Sequence, residues 1–288
     1  MNPIDYHNDN VGCQQPSLSA SCAITLIKES PEHAWLEHPK LGGMKKETTR
    51  AMDFGAVCHE IILGSANHGG LVILKADHYR AKKTQSERDA AYAAGQTPIL
   101  ESEYERALTA CKAWRKKLVQ LGYEHLLGPK GESEKLVTWR EANGIDCRAM
   151  LDWYDGQNEL WDLKTGESAK PEKINKKIYD KGLYIQRQFH IRGMEHKHPD
   201  MTGRFKFGWV FAETWEPFAV TVVSGVSGKF QAMGEKETIQ AIVTFGNCLK
   251  SKLWPSYTDA PMVAEPPGWA WKASLEDEED HNENRSAR

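Results

Sequence analysis

The sequence predicts one α/β domain with a mixed sheet, and three observations carry that expectation. Helical apolar spacing dominates the first 122 residues. Strand-length runs punctuated by Asn143-Gly144 and Asp155-Gly156 turns follow as far as Gly166. The remainder reads as helix, two strands and helix. A chain of 288 residues, 40% hydrophobic and 27% charged, can bury a real core and has the make-up of a soluble globular protein.

The elements follow in order. "PSLSASCAITLIKESPEHAWLEHP" (16–39) opens with Ser/Thr capping candidates and runs helical through Ile24, Leu26 and Ile27, until Ser30-Pro31 ends one helix and starts another. In 52–64, Phe54, Val57, Ile61 and Ile62 make a helical face closed by Gly64. The helix over 99–122 places Leu108, Cys111, Leu118 and Leu121 on its apolar face, with Gly122 as its stop. Strands are predicted over 133–141, 146–155 and 159–166, the last two forming an antiparallel hairpin around "DGQN". A single helix is predicted over 173–198, two strands in 204–224 around Glu216-Pro217, and a closing helix over 229–251.

Composition narrows the chemistry. The formal charge of −3 makes no case for nucleic acid, but its distribution does: Lys164 to Lys206 holds eleven Lys or Arg against five acids. The run 276–285 has six acids and one Arg, so 1–272 is expected to be the domain and 273–288 a disordered acidic tail. Six scattered cysteines without a C-x-x-C spacing argue against a structural zinc or cluster and suit reduced thiols. Residues 1–10 carry no secretion signal and no run approaches the roughly 18 apolar residues of a membrane span, so a cytoplasmic protein is expected.

The hairpin is where these residues suggest chemistry. Period two puts Arg148, Met150 and Asp152 on one face of its first strand, and Asp162 and Lys164 on one face of its second. Two carboxylates on adjacent strands offer hard oxygen ligands suited to Mg²⁺, with Mn²⁺ as a substitute. A neighbouring lysine can orient or deprotonate a water, or offset charge on a phosphate. Taken singly, the flanking residues say less: His59 reads as a core histidine and Glu134 as an exposed strand residue. Gln186 and His190, four apart, read as one exposed face of the basic helix.

Their order along the chain is distinctive. "GAVCH" (55–59), Glu134, "CRAMLD" (147–152), "DLKT" (162–165) and "YIQRQFH" (184–190) together resemble the RecE-type exodeoxyribonucleases (exonuclease VIII) of the PD-(D/E)XK superfamily. RecB-like nuclease domains are near relatives and lambda exonuclease a more distant one. The resemblance runs from about Leu18 to Trp271. It implies the restriction-endonuclease-like fold, a central mixed sheet flanked by helices. It implies that His59, Asp152, Asp162 and the Leu163 carbonyl bind metal, that Lys164 is the catalytic lysine, and that Glu134 contributes an acid. Gln186 matches the glutamine of a Q-x-x-x-Y helix motif lying beside DNA, although His190 stands where tyrosine is usual. Arg187, Lys176, Lys177 and Lys181 complete the expected DNA-binding set. The implied activity is Mg²⁺-dependent, 5′→3′ digestion of one strand at double-stranded DNA ends, leaving 3′ overhangs. The implied partners are copies of the chain in a ring around DNA and a RecT/Bet-like single-strand annealing protein, in phage-type recombination. Two other readings share the fold: a RecB- or Cas4-like endonuclease or single-strand nuclease, and a catalytically silent DNA-binding subunit. The missing cluster cysteines weigh against a Cas4-like protein.

Overall fold

The computed structural model of the protein describes residues 3–44, 47–64 and 70–275. The chain divides into two units, Met1–Pro255 and Ser256–Arg288. In the second, 256–267 is irregular and 268–275 is helical; from 276 onward the expected acidic tail lies outside the described residues.

The first unit runs α1 (Pro3–His7), β1 (Leu18–Ser19), α2 (Ala20–Lys28), α3 (Pro31–Glu37), α4 (Arg50–Leu63), β2 (Leu71–Leu74), α5 (Lys82–Ala93), β3 (Thr97–Leu100) and α6 (Glu101–Gln120). It continues with β4 (Glu132–Arg140), β5 (Asp146–Tyr154), β6 (Glu159–Gly166), α7 (Pro171–Asp180), α8 (Leu183–Lys197), a 3-10 turn (Pro199–Met201), β7 (Lys206–Glu213), β8 (Val220–Val223) and α9 (Gly228–Ser251). Among the described residues no helix is long and apolar enough to cross a membrane. The caps explain several boundaries. The Ser19, Ser30 and Thr49 side chains accept the first free N–H groups of α2, α3 and α4, and left-handed Gly64 ends α4.

Strand β5 is the hub of a mixed sheet. β4 runs antiparallel along one edge, from Glu132↔Tyr154 to Arg140↔Asp146. The other edge is shared: β1 pairs with it in parallel at Cys147 and Arg148, and β6 antiparallel at Trp153 and Tyr154. β6 then pairs in parallel with β7 along its length, and β7 antiparallel with β8. The expected hairpin is therefore paired only at its base. Beyond Trp153↔Trp161 its strands splay.

Helices cover both faces. Leu160, Trp209 and Phe211 bury against α2, α8 and α9, together with Phe189 and Phe245. Trp161, Leu163 and Val210 bury against α4 and α6, together with Phe54, Val57 and Trp114. Each large apolar side chain removed from water this way contributes about 2–3 kcal/mol.

Four expectations change. The predicted helix over 173–198 is two helices, because Gly182 sits at φ 62, a left-handed conformation that ends α7 and restarts the chain as α8. α6 presents Ala107, Ala110, Cys111, Trp114 and Leu118 to the core, leaving Leu108 and Leu121 exposed, so its buried stripe is rotated from the expected one. The helix α5 and the parallel pair β2–β3 occupy 71–100, where the sequence predicts no element before 99, and Ile99 and Leu100 end β3 rather than open the helix predicted from 99. Finally, the alternation of faces slips in mid-strand. Cys147, Ala149 and Leu151 bury on the α8 side, but Trp153 buries on the α4 side and Tyr154 on the α8 side again. Opposite Asp152, Glu134 has φ 50 and interrupts the ladder between Ser133↔Trp153 and Lys135↔Leu151. A side chain other than glycine held there costs on the order of 1–3 kcal/mol, and it turns both strands over at one point.

Candidate active site

The splay between β5 and β6 brings the predicted residues together. Because Leu160 faces α8 while Trp161 and Leu163 face α4, period two sends Asp162 and Lys164 toward α8. Asp162 is 2% exposed. Its Oδ1 accepts from Gln186 Nε2 at 2.8 Å, and its Oδ2 lies 2.7 Å from Lys164 Nζ. Asp152, at the point where the faces slip, accepts the Leu163 N–H at 2.9 Å across the opening. On the other side of β6, α4 crosses so closely that a Cβ on Gly55 would stand 3.0 Å from Thr165 Oγ1. One turn on, His59 Nε2 is 3.1 Å from the Leu163 carbonyl oxygen, so that nitrogen carries the proton and donates. Its Nδ1 is 3.7 Å from Asp152 Oδ2.

The electrostatics follow from this geometry. Burial pushes the Asp162 carboxyl above the usual carboxylate range, the Asp152 charge adds to that, and Lys164 opposes both. Burial alone would lower Lys164, but the Asp162 and Asp152 charges outweigh it and raise its affinity for a proton.

The donor set fits a hard divalent cation: two carboxylates, a backbone carbonyl and an imidazole. Such a cation would relieve the repulsion that helps raise Asp162. The expected ligands are nevertheless not gathered into a cage: among the described residues no three or more His, Cys, Asp or Glu stand at metal-binding spacing. The reason is local. The Leu163 N–H holds Asp152, Gln186 and Lys164 hold Asp162, and His59 is turned to the Leu163 carbonyl.

The helix residues divide into two sets. Gln186 turns inward and hydrogen-bonds Asp162. His190, one turn further on, is 3% exposed and edge-on to Phe207 with ring centroids 5.7 Å apart. Its expected place on an exposed helix face is corrected, because the Gln186–His190 face of α8 packs toward β6. Burial pulls its pKa down to about 4, so it is neutral at pH 7. Arg187 is half-buried, with Nη1 3.4 Å from Gln188 Oε1. On α7, Lys176 and Lys181 are exposed, whereas Lys177 is half-buried, its Nζ 3.0 Å from where a Cβ on Gly166 would stand. Glu134 is half-buried opposite Asp152.

Arg148, expected on the Asp152 face, is instead withdrawn from the site. It is 3% exposed and pairs with buried Asp9 at 3.1 Å and Ser17 Oγ at 2.9 Å. The sequence reading missed this anchor because Ser17 lies 131 residues away in the chain, so no local pattern marks the pair.

A splayed strand pair carrying Asp152 and the Asp162–Lys164 couple, on a mixed sheet covered by helices on both faces, defines the class of PD-(D/E)XK nucleases. The chain belongs to the family described as the PDDEXK-like domain of unknown function (DUF3799), whose model matches residues 20–260. It is similar to a crystal structure from Eubacterium rectale, named as a proposed exonuclease, with TM-score 0.61 and 11% identity over 93% of this chain and 96% of that one. An alkaline exonuclease from Laribacter hongkongensis aligns with TM-score 0.30 and 14% identity, over 82% of this chain and 93% of that one. No curated protein matches.

Proposed function

We propose that the chain is a Mg²⁺-dependent exonuclease acting on double-stranded DNA ends. The observation that carries this reading is the Asp162–Lys164 couple facing Asp152 across the splayed strands, with His59 and the Leu163 carbonyl alongside. Asp152, Asp162, the Leu163 carbonyl and His59 would hold the cation. When bound, it supplies positive charge against the phosphate and makes water acidic enough to attack at neutral pH. Lys164 stands beside that water and the phosphate, to orient or deprotonate the one or to offset charge developing on the other. Gln186 fixes the rotamer of Asp162, and Glu134 presents a further acid beside Asp152. Lys176 and Lys181, with Lys177 nearer the strand end and Arg187 on the next helix, supply a basic surface for the phosphate backbone.

The finer reading comes from the RecE-type resemblance: 5′→3′ polarity, 3′ overhangs for strand annealing, a ring-shaped homo-oligomer and a RecT/Bet-like partner in a bacterial or phage-infected cytoplasm. A duplex labelled at either the 5′ or the 3′ end, run beside closed circular DNA, tests it. The expected result is immediate release of the 5′ label with the circle intact. Cutting of the circle would replace the exonuclease reading with an endonuclease.

A further inference from the structure

The turn between β7 and β8 carries a tryptophan with no structural task of its own. Trp215 is 61% exposed. The Arg106 guanidinium lies 3.7 Å from its ring centroid and 4.0 Å from that of Phe54. Arg106 Nη1 also donates to the Thr214 carbonyl at 2.8 Å, tying the guanidinium to the backbone beside the indole. One face of the indole thus rests on a fixed cation while the ring remains largely open to solvent. Among the described residues Arg106 makes no ion pair, so its charge stays available beneath the ring.

The position matters as much as the stack. The Thr214 N–H donates to the Gly166 carbonyl at 2.9 Å, and Gly166 lies two residues beyond Lys164. Lys164 pairs with Phe211 and Trp215 follows Phe211 by four residues, so at about 3.3 Å per strand residue and about 4.8 Å between strands the two backbones stand at most about 14 Å apart. That limit corresponds to about four base steps of B-form DNA. Phe54, on which Arg106 rests, belongs to the helix that delivers His59 to the site.

We propose that Trp215, backed by Arg106, is a stacking platform for a nucleobase within about four nucleotides of the phosphate being cleaved. The inference rests on the nuclease reading above and deepens it. An aromatic face accepts any base, as an enzyme digesting successive nucleotides requires, and a guanidinium behind the indole adds charge attraction for the strand.

The test is binding in EDTA, where no cleavage occurs, of a labelled duplex carrying a single abasic site at each of the last few nucleotides in turn. Wild-type protein is expected to lose about tenfold in affinity at one abasic position, the scale of a single base–aromatic stack. Trp215→Ala is expected to bind intact DNA about tenfold more weakly and to be indifferent to that abasic site, with Trp215→Phe close to wild type. Its melting temperature should fall only slightly, because the exposed side chain gives up little beyond its contact with Arg106. An unaltered abasic penalty in Trp215→Ala overturns the stacking assignment while leaving the nuclease reading intact. Wild-type protein that neither binds DNA in EDTA nor cleaves it in Mg²⁺ overturns both, and a penalty at no position overturns the platform even if Trp215 proves to bind a protein.

Discussion

Asp162, 2% exposed, holds its carboxylate between Gln186 Nε2 and Lys164 Nζ, so its charge is kept out of water by two partners. Lys164→Met removes the cation and leaves the carboxyl buried without a countercharge. The expected loss at pH 8 is about 1–3 kcal/mol, below the value for a fully buried pair because the Lys164 side chain is 24% exposed. Asp162 is already raised by burial and by Asp152. A raised carboxyl favours the folded state in its protonated form, so the deficit should shrink as pH falls through that raised value. Thermal melts of wild type and variant between pH 8 and pH 5 read it; a deficit independent of pH would contradict the burial of Asp162. Cleavage by the variant should fall by about a hundredfold or more. The order of His59, Glu134, Asp152, Asp162, Lys164 and Gln186 was legible in the chain. The positive φ of Glu134 was not, because glutamate has no preference for that conformation and only its partners across the sheet impose it.

Helix α8 delivers Gln186, and a buried network fixes it to β4. Arg192 pairs with Glu141 through two contacts of 2.7 Å, and Trp139 Nε1 donates to the same carboxylate at 2.8 Å. Burial alone would raise Glu141, but the hydrogen bonds from Arg192 and Trp139 more than offset it and hold it below the usual range. A lowered carboxyl contributes stability above its unfolded value, about pH 4.3, and loses it as pH falls through the folded value. Glu141→Gln should therefore melt lower than wild type at pH 7 by the equivalent of about 1–3 kcal/mol. The gap should narrow as pH falls below about 4.3 and close only below the lowered folded value; a constant gap would show that the charge is not what holds α8. Gly182→Ala places a Cβ at φ 62 and 3.0 Å from Ile24, and should cost about 1–2 kcal/mol in a denaturant titration. The three central strands were legible from their turns. The break at Gly182 was not, because an isolated glycine in an apolar-periodic stretch is compatible with continuing helix. The rotated stripe of α6 was hidden because two leucines attracted the apolar assignment while alanines and Trp114 do the packing.

At the scale of the molecule, the net charge of −3 conceals the basic stretch that forms α7 and α8. If that surface tracks a phosphate backbone, duplex binding should weaken steeply between 50 and 200 mM salt. Lys176→Ala and Lys181→Ala should each lower the log–log salt slope by about one without changing sequence preference. A slope unchanged by both would move the DNA path elsewhere. Sequence order grouped these residues, but only the fold reveals that β5 and β6 separate at Asp152, since that depends on β1 and β6 sharing one edge of β5. The most direct test incubates linear duplex DNA with wild-type protein in Mg²⁺, with wild type in EDTA, and with Asp162→Ala in Mg²⁺. Degradation in the first alone is expected; equal degradation in all three, or none in any, would contradict metal-dependent cleavage at Asp162.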